Sequence, residues 1–145
     1  SETIEESQEE GLLAALSNIS TDRYPRVAIV DDNPDVRRLI RRILESQGNY
    51  MIKEAIDGGE AIKLIKSERP NLVILDLMMP GIDGFSVLDA MQADKSTADI
   101  PVIVITAKEL TSEEKDRLRG RITSLMQKGD FMSDDLADEV QLLLG

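Results

Sequence analysis

A chain of 145 residues, 41% of them hydrophobic, can bury a sizeable core in one domain. It has no Cys and no His, which excludes disulfide scaffolds, thiolate metal sites, imidazole bases and a phosphohistidine of its own. Its formal net charge of −11 offers no basic footprint for nucleic acid or an anionic membrane, and no apolar run approaches the ~20 residues of a membrane span.

The acidic excess is uneven. Residues 1–22 hold Glu2, Glu5, Glu6, Glu9, Glu10 and Asp22, with no Lys or Arg. Leu12, Leu16 and Ile19 fall at helical spacing, so this stretch reads as an acidic tail or linker; a docking or dimerisation helix is the sharper alternative. The domain proper is placed at residues 23–145. From Arg26 onward, strand and helix patterns alternate. Residues 27–30 (Val-Ala-Ile-Val) form a buried strand that ends at Asp31-Asp32. Asn33 as N-cap and Pro34 at the first helical position open a helix carrying Val36, Leu39, Ile40, Ile43 and Leu44 on one face. Residues 50–55 form a second strand, made less apolar by Lys53 and Glu54. Asp57-Gly58-Gly59 turns into a helix with Ala61, Leu64 and Ile65. Residues 72–75 are wholly apolar and run into Asp76, followed by turn residues Pro80, Gly81, Asp83 and Gly84. A helix with Phe85, Leu88 and Met91 follows. Residues 102–105 form a fourth strand that ends at Thr106. Thr111 and Glu114 have the spacing of a capping box for a short charged helix. Residues 122–127 are a weaker fifth strand, closed by Lys128-Gly129. The last helix places Leu136, Val140, Leu143 and Leu144 on one face.

Five strand-then-helix units imply an α/β, doubly wound, parallel sheet with right-handed crossovers and helices on both faces. Strands 1, 3 and 4 are continuously apolar and belong in the centre; strands 2 and 5 carry polar residues and belong at the edges. The order 2-1-3-4-5 satisfies this, and its switch point lies between strands 1 and 3. Asp31, Asp32 and Asp76 converge there, with Thr106 after strand 4 and Lys128 after strand 5 on the same rim. Each is weak evidence alone: adjacent acids are often N-caps, a lone Thr a turn hydroxyl, a lone Lys solvated. Their joint placement points to chemistry. Clustered carboxylates repel, and Mg²⁺ with its preference for hard oxygen ligands relieves that repulsion. A carboxylate can attack phosphorus to give an aspartyl phosphate. Lys128 would then supply a cation and Thr106 a donor to the phosphoryl oxygens.

Val30-Asp31-Asp32, the run Asp76-Leu77-Met78-Met79-Pro80-Gly81-Ile82-Asp83-Gly84, Thr106-Ala107 and Lys128 together resemble the receiver domain of two-component response regulators over about residues 25–145. The resemblance implies that Asp76 is the phosphoacceptor, and that Asp31, Asp32, Asp76 and the backbone carbonyl of Met78 hold Mg²⁺. It implies that Thr106 and Lys128 bind the phosphoryl group, and that phosphorylation reshapes the face of helix 4, strand 5 and helix 5, with Leu125 at the switch position. The implied donor is a sensor histidine kinase or phosphotransfer protein, and the output a downstream protein target. Nucleic acid and membrane are not expected partners, a homodimer is left open, and the expected location is cytoplasmic. Such a domain takes part in its own phosphorylation and dephosphorylation but has no separate substrate, so it is not an enzyme in the usual sense.

The chain also departs from that pattern. Leu125 stands where the family often has an aromatic, and Gly129 where Pro usually follows the Lys. A non-proline cis bond costs roughly 2.5–4 kcal/mol, so a trans Lys128–Gly129 bond and a differently shaped loop are expected. Met78 and Lys108 occupy positions that tune phosphate lifetime in the family; Met78 offers no hydrogen bond to an attacking water, which predicts slow self-dephosphorylation. Two other readings compete. A haloacid-dehalogenase-type phosphatase needs a second acid two residues after the nucleophile, where this chain has Met78. A receiver used as a phosphorylation-independent scaffold is opposed by the intact five-residue set. With no output domain after Gly145, a stand-alone receiver or a piece of a longer protein is expected. The run Gln127-Lys128-Gly129-Asp130-Phe131 resembles receivers attached to hybrid sensor kinases.

Overall fold

A computed structural model describes residues 24–129 and 132–145; the tail expected over residues 1–22, and Asp130 and Phe131 of the last motif, lie outside them. Five strands, β1 (Arg26–Val30), β2 (Met51–Ala55), β3 (Leu72–Leu75), β4 (Val102–Thr106) and β5 (Ser124–Gln127), alternate with five helices. The helices are α1 (Pro34–Gln47), α2 (Gly58–Glu68), α3 (Gly84–Ala93), α4 (Ser112–Leu118) and α5 (Met132–Leu144). All strand pairs are parallel and the order is β2-β1-β3-β4-β5. The central strands β3 and β4 are buried along their whole length, while β2 exposes Lys53 and Glu54 and β5 exposes Leu125 and Gln127.

Strand alternation divides the core into two layers. Ala28, Val30, Val73, Leu75, Val102 and Val104 point to the side covered by α2, α3 and α4, where they meet Ile65, Leu88 and Leu118. Val27, Ile29, Leu72, Ile74, Ile103 and Ile105 point to the other side, against Ile40 and Leu44 of α1 and Leu136 and Val140 of α5. Side chains in a parallel sheet lie between two helical layers, so these strands read as unbroken apolar runs rather than as alternating ones. Fully burying each such side chain contributes about 1.5–3 kcal/mol.

Local signals place the helices. Asn33 accepts the Asp35 N–H as N-cap of α1, with Pro34 at the first helical position. Asp57 and Asp83 cap α2 and α3 through the N–H groups of Glu60 and Ser86. The capping box of α4 is complete: Thr111 Oγ1 accepts the Glu114 N–H, and Glu114 Oε1 accepts the Thr111 N–H. Two glycines are required by close approach. A Cβ on Gly58 would lie 2.3 Å from the Ile82 carbonyl oxygen, and one on Gly84 would lie 2.6 Å from the Asp76 carbonyl oxygen and 2.7 Å from Leu77 Cα. These glycines let α2 and α3 start hard against the loop after β3.

Two sequence expectations are corrected. Leu39 is not on the buried face of α1 but exposed. Ile40, Ile43 and Leu44 already fill that face. The fifth strand starts at Ser124, not residue 122: register pairing with β4 begins at Ile103 and Ser124, and the single Thr123 N–H bond to Val102 O before it does not extend the ladder to Ile122.

Candidate functional site

Sheet register sets the site. Val30 lies beside Leu75, Leu75 beside Val104, and Thr106 beside Gln127. The residues that follow these strands therefore emerge together at the carboxyl edge: Asp31, Asp76 and Lys128, with Thr106 ending β4. Asp31, Asp76 and Thr106 are each at most 3% exposed, an unusual state for two carboxylates. Asp32 is exposed beside them. The simple alternative for the acid pair, capping of α1, does not apply, since Asn33 holds that place.

The backbone around the acids is pinned. Asp31 N–H donates to Ala55 O across to β2, and Asp76 N–H donates to Val30 O across to β1. Asp31 Oδ1 accepts the Asn33 N–H at 2.9 Å, and Asp76 Oδ1 accepts the Met78 N–H at 3.1 Å. The other oxygen of each acid meets the same cation: Lys128 Nζ lies 2.9 Å from Asp31 Oδ2 and 3.4 Å from Asp76 Oδ2. Lys128 is set in place by its own N–H, which donates to Thr106 O at 3.0 Å. The Lys128–Gly129 bond is trans, as expected, and nothing lies within 4 Å of where a Gly129 Cβ would be.

Charge and burial oppose one another here. Burial raises the pKa of Asp76 above the ordinary Asp value, and the negative charge of Asp31 adds to that; the Met78 N–H and Lys128 pull the other way without cancelling it. Burial alone would lower the pKa of Lys128, but its contacts with Asp31 and then Asp76 outweigh this, so its pKa is raised and it stays an ammonium.

One carboxylate oxygen from each of Asp31, Asp32 and Asp76 lies within 4.8 Å of the other two. Three hard anionic oxygens on one rim fit a divalent cation such as Mg²⁺, which favours carboxylate oxygens and leaves room for waters and a phosphate oxygen. Thr106 completes the rim. Its Oγ1 accepts the Lys108 N–H at 3.2 Å, which leaves its own O–H proton free to donate. The Met78 side chain is exposed, and only its backbone N–H is bonded to Asp76. Every residue singled out from the sequence for this site thus lies at the same sheet edge, except Leu125, which is half-exposed on β5.

Two supporting contacts were not evident from the sequence. Arg37 of α1 donates to the Asp31 carbonyl at 2.8 Å and to Glu54 of β2 at 3.0 Å. Lys108, two residues past Thr106, pairs with Glu114 of α4 at 2.6 Å. Arg37 and Arg41 one turn apart, with a lone Glu in an edge strand, were a readable signal; the Lys108–Glu114 pair depends on loop geometry and was not. Lys108 and Glu114 also line an open hollow of about 330 Å³ together with Met78, Met79, Phe85 and Arg117.

The sequence profile described as the response regulator receiver domain matches residues 27–141. Over 96 residues the chain is 38% identical to the DNA-binding dual master transcriptional regulator RpaA of Synechocystis sp., which covers 66% of this chain but only 38% of that protein. Likewise over 96 residues, it is 35% identical to Protein PilH of Pseudomonas aeruginosa, covering 66% of this chain and 76% of PilH. Among solved structures, Vibrio cholerae chemotaxis protein CheY4 superposes with a TM-score of 0.73 at 26% identity, over 83% of this chain and 98% of that one.

Proposed function

The chain belongs to the response regulator receiver domain family of two-component systems, and on that premise we propose that Asp76 accepts a phosphoryl group from a phosphohistidine on a sensor kinase or phosphotransfer protein. The observation that carries this is the shared cation: one ammonium, Lys128, reaches both buried carboxylates, and a third carboxylate stands within 4.8 Å of them. The proposed step is in-line. An Asp76 carboxylate oxygen bonds to phosphorus, the phosphorus–nitrogen bond of the donor breaks, and its electron pair returns to the imidazole. Burial, and then the charge of Asp31, raise the pKa of Asp76, which makes its carboxylate a better nucleophile than an ordinary Asp. Lys128 would neutralise one phosphoryl oxygen and the Thr106 hydroxyl would donate to another. Asp31, Asp32, Asp76 and the Met78 backbone carbonyl would hold Mg²⁺, which when bound supplies positive charge at the phosphoryl oxygens.

The output follows from the same rim. Pulling Thr106 toward a phosphoryl group moves the β4–α4 loop and with it the face of α4, β5 and α5, where Leu125 is exposed. The partner read from that face is a protein. RpaA is described as DNA-binding, but the net charge of −11 on this chain argues against direct nucleic-acid binding, so a protein is the partner proposed here. A cytoplasmic setting follows from the kinase donor, and among the described residues no helix is long and apolar enough to cross a membrane.

The test is intact mass after incubation with Mg²⁺ and acetyl phosphate, wild type beside Asp76→Asn. Gain of one phosphoryl group in wild type only is the expected result. No gain in wild type, with either acetyl phosphate or a phosphorylated histidine phosphotransfer protein as donor, would favour a receiver-like scaffold instead.

A further inference from the structure

Helix α1 stands out by charge. It carries Arg37, Arg38, Arg41 and Arg42 against only Asp35 and Glu45, a net positive helix in a chain of net charge −11. Arg37 and Arg41 turn toward β2, where they hold Glu54. Arg38 and Arg42 are exposed on the outer face, and so is Leu39. Arg38 meets Asp35 at 3.2 Å, but both side chains are open to water, and such pairs contribute little. Arg37, Arg38 and Arg41 also line an open hollow of about 270 Å³ with Pro34 and Glu54, three guanidinium groups about one carboxylate. That hollow suits further carboxylates, which guanidinium groups take in bidentate pairs.

The chain carries a matching set of acids. Glu5, Glu6, Glu9 and Glu10 repeat the one-three-one spacing of the four arginines, and residues 1–22 hold no Lys or Arg. Groups spaced this way share one face of a helix. The segment, outside the described residues, joins the fold beside the end of α1: the Met51 N–H, just past that end, donates to Pro25 O at 2.9 Å. Arg37 lies ten residues before Gln47, about 15 Å along the helix. Glu10 precedes Tyr24 by 14 residues, which span about 21 Å as helix and up to about 46 Å extended. The tether is long enough to lay the acids along the whole of α1.

We propose that the acidic N-terminal segment docks on the outer face of α1, its Glu5, Glu6, Glu9 and Glu10 carboxylates pairing with Arg38, Arg42 and the arginine hollow beside them. The segment is a tethered cover: it screens the positive face of the helix whose Arg37 braces the Asp31 turn. The tether sets an effective concentration on the order of millimolar, so several weak pairs acting together hold it. This docking does not depend on phosphorylation of Asp76 and stands apart from the phosphoacceptor reading.

The chain has no Cys, so Ser7→Cys gives a single site for a nitroxide label among the acids. Loss of backbone amide signal in the full, isotope-labelled chain then reports which surface the acids visit. At about 0.01 M salt, amides from Arg38 to Glu45 should lose intensity, while those of α3, on the opposite side of the sheet, should not. At about 1 M salt the screening length falls from about 30 Å to about 3 Å, and the signals should return. Arg38→Glu with Arg42→Glu should abolish the loss, and adding Glu5→Lys, Glu6→Lys, Glu9→Lys and Glu10→Lys should restore it. The amide spectrum itself reports that each variant is folded. A loss that survives the arginine changes, or one spread equally over both sides of the sheet, would overturn the proposal. So would no loss at all, which leaves the face to a separate acidic partner. Loss that appears when spin-labelled chain is mixed with isotope-labelled chain lacking the nitroxide also overturns it, because the acids then dock on a second copy.

Discussion

Replacing Asp76 by Asn should stabilise the fold at neutral pH in the absence of divalent metal. Asn keeps the shape and an oxygen to accept the Met78 N–H. What disappears is one charge in a crowded rim. At an effective dielectric of about 20, two carboxylate oxygens 4.8 Å apart repel by about 3.5 kcal/mol, and Asp76 has two such neighbours. Lys128 at 3.4 Å returns about 5 kcal/mol on the same scale. Screening at exposed Asp32 trims the repulsion, while burial of Asp76 adds to the penalty. The balance is about 1–2 kcal/mol in favour of Asn, or roughly 3–8 °C in Tm for a domain of this size. The pH dependence has a definite sign. The folded pKa of Asp76 lies above its unfolded value of about 3.9. The folded protein therefore binds this proton more readily than the unfolded chain, so protonation favours folding. The wild-type deficit is complete above the raised pKa, shrinks as pH falls through it and is gone below the unfolded value. Thermal unfolding of both proteins with EDTA at pH 7.5, 6, 5 and 4 reads this directly. A less stable Asp76→Asn, or a gap that does not change with pH, would refute the electrostatic account of the rim.

Three further outcomes follow from the same geometry. Mg²⁺ at a hundred times its dissociation constant should stabilise wild type by about 2.7 kcal/mol, and Asp32→Asn should require far more metal for the same shift, as read by thermal unfolding against Mg²⁺ concentration. Lys128→Met should slow phosphorylation by acetyl phosphate about 10²–10³-fold, measured by time-resolved intact mass, because it removes the one ammonium placed on both buried acids. Gly84→Ala should cost about 1–3 kcal/mol in urea unfolding, since its Cβ would meet the Asp76 carbonyl oxygen and Leu77 Cα, both backbone atoms that cannot swing away.

Much of this arrangement was legible in the chain because parallel strands announce themselves. Residues 72–75 and 102–105 are apolar without alternation, and only a strand covered on both faces by helices needs that. The chemistry was legible because strand ends in such sheets share one edge, so Asp31, Asp76, Thr106 and Lys128 could be gathered without knowing any distance. Leu39 was misplaced for a related reason. Helical periodicity gives the direction of the apolar stripe but not its width, and at α1 the stripe is filled by Ile40, Ile43 and Leu44. The start of β5 was misjudged because Ile122 and Thr123 have strand-like side chains, while strand extent depends on which backbone groups find partners on β4. Lys108–Glu114 and Arg37–Asp31 were invisible because each joins a long side chain to a loop, and neither contact follows from a period of 2 or 3.6.

The Arg37 contact changes how the edge strand should be understood. Lys53 and Glu54 mark β2 as an edge because they break its apolar run, but Glu54 is more than a solvated residue. Burial works against its charge, yet Arg41 and then Arg37 outweigh this and hold its pKa below the ordinary Glu value. Arg41 Nη2 meets Glu54 at 2.7 Å and Arg37 Nε at 3.0 Å, and a third arm of this network, Arg37 Nη1, grips the Asp31 carbonyl at 2.8 Å. The β1–α1 turn that carries Asp31 and Asp32 is thus braced from behind by α1 and from the side by β2, whose Ala55 carbonyl also takes the Asp31 N–H. A rim that crowds three carboxylates pushes its own loops apart. Holding one of those loops from two neighbouring elements is what lets the acids stay within 4.8 Å of one another while, among the described residues, only one cation, Lys128, lies between the two buried ones.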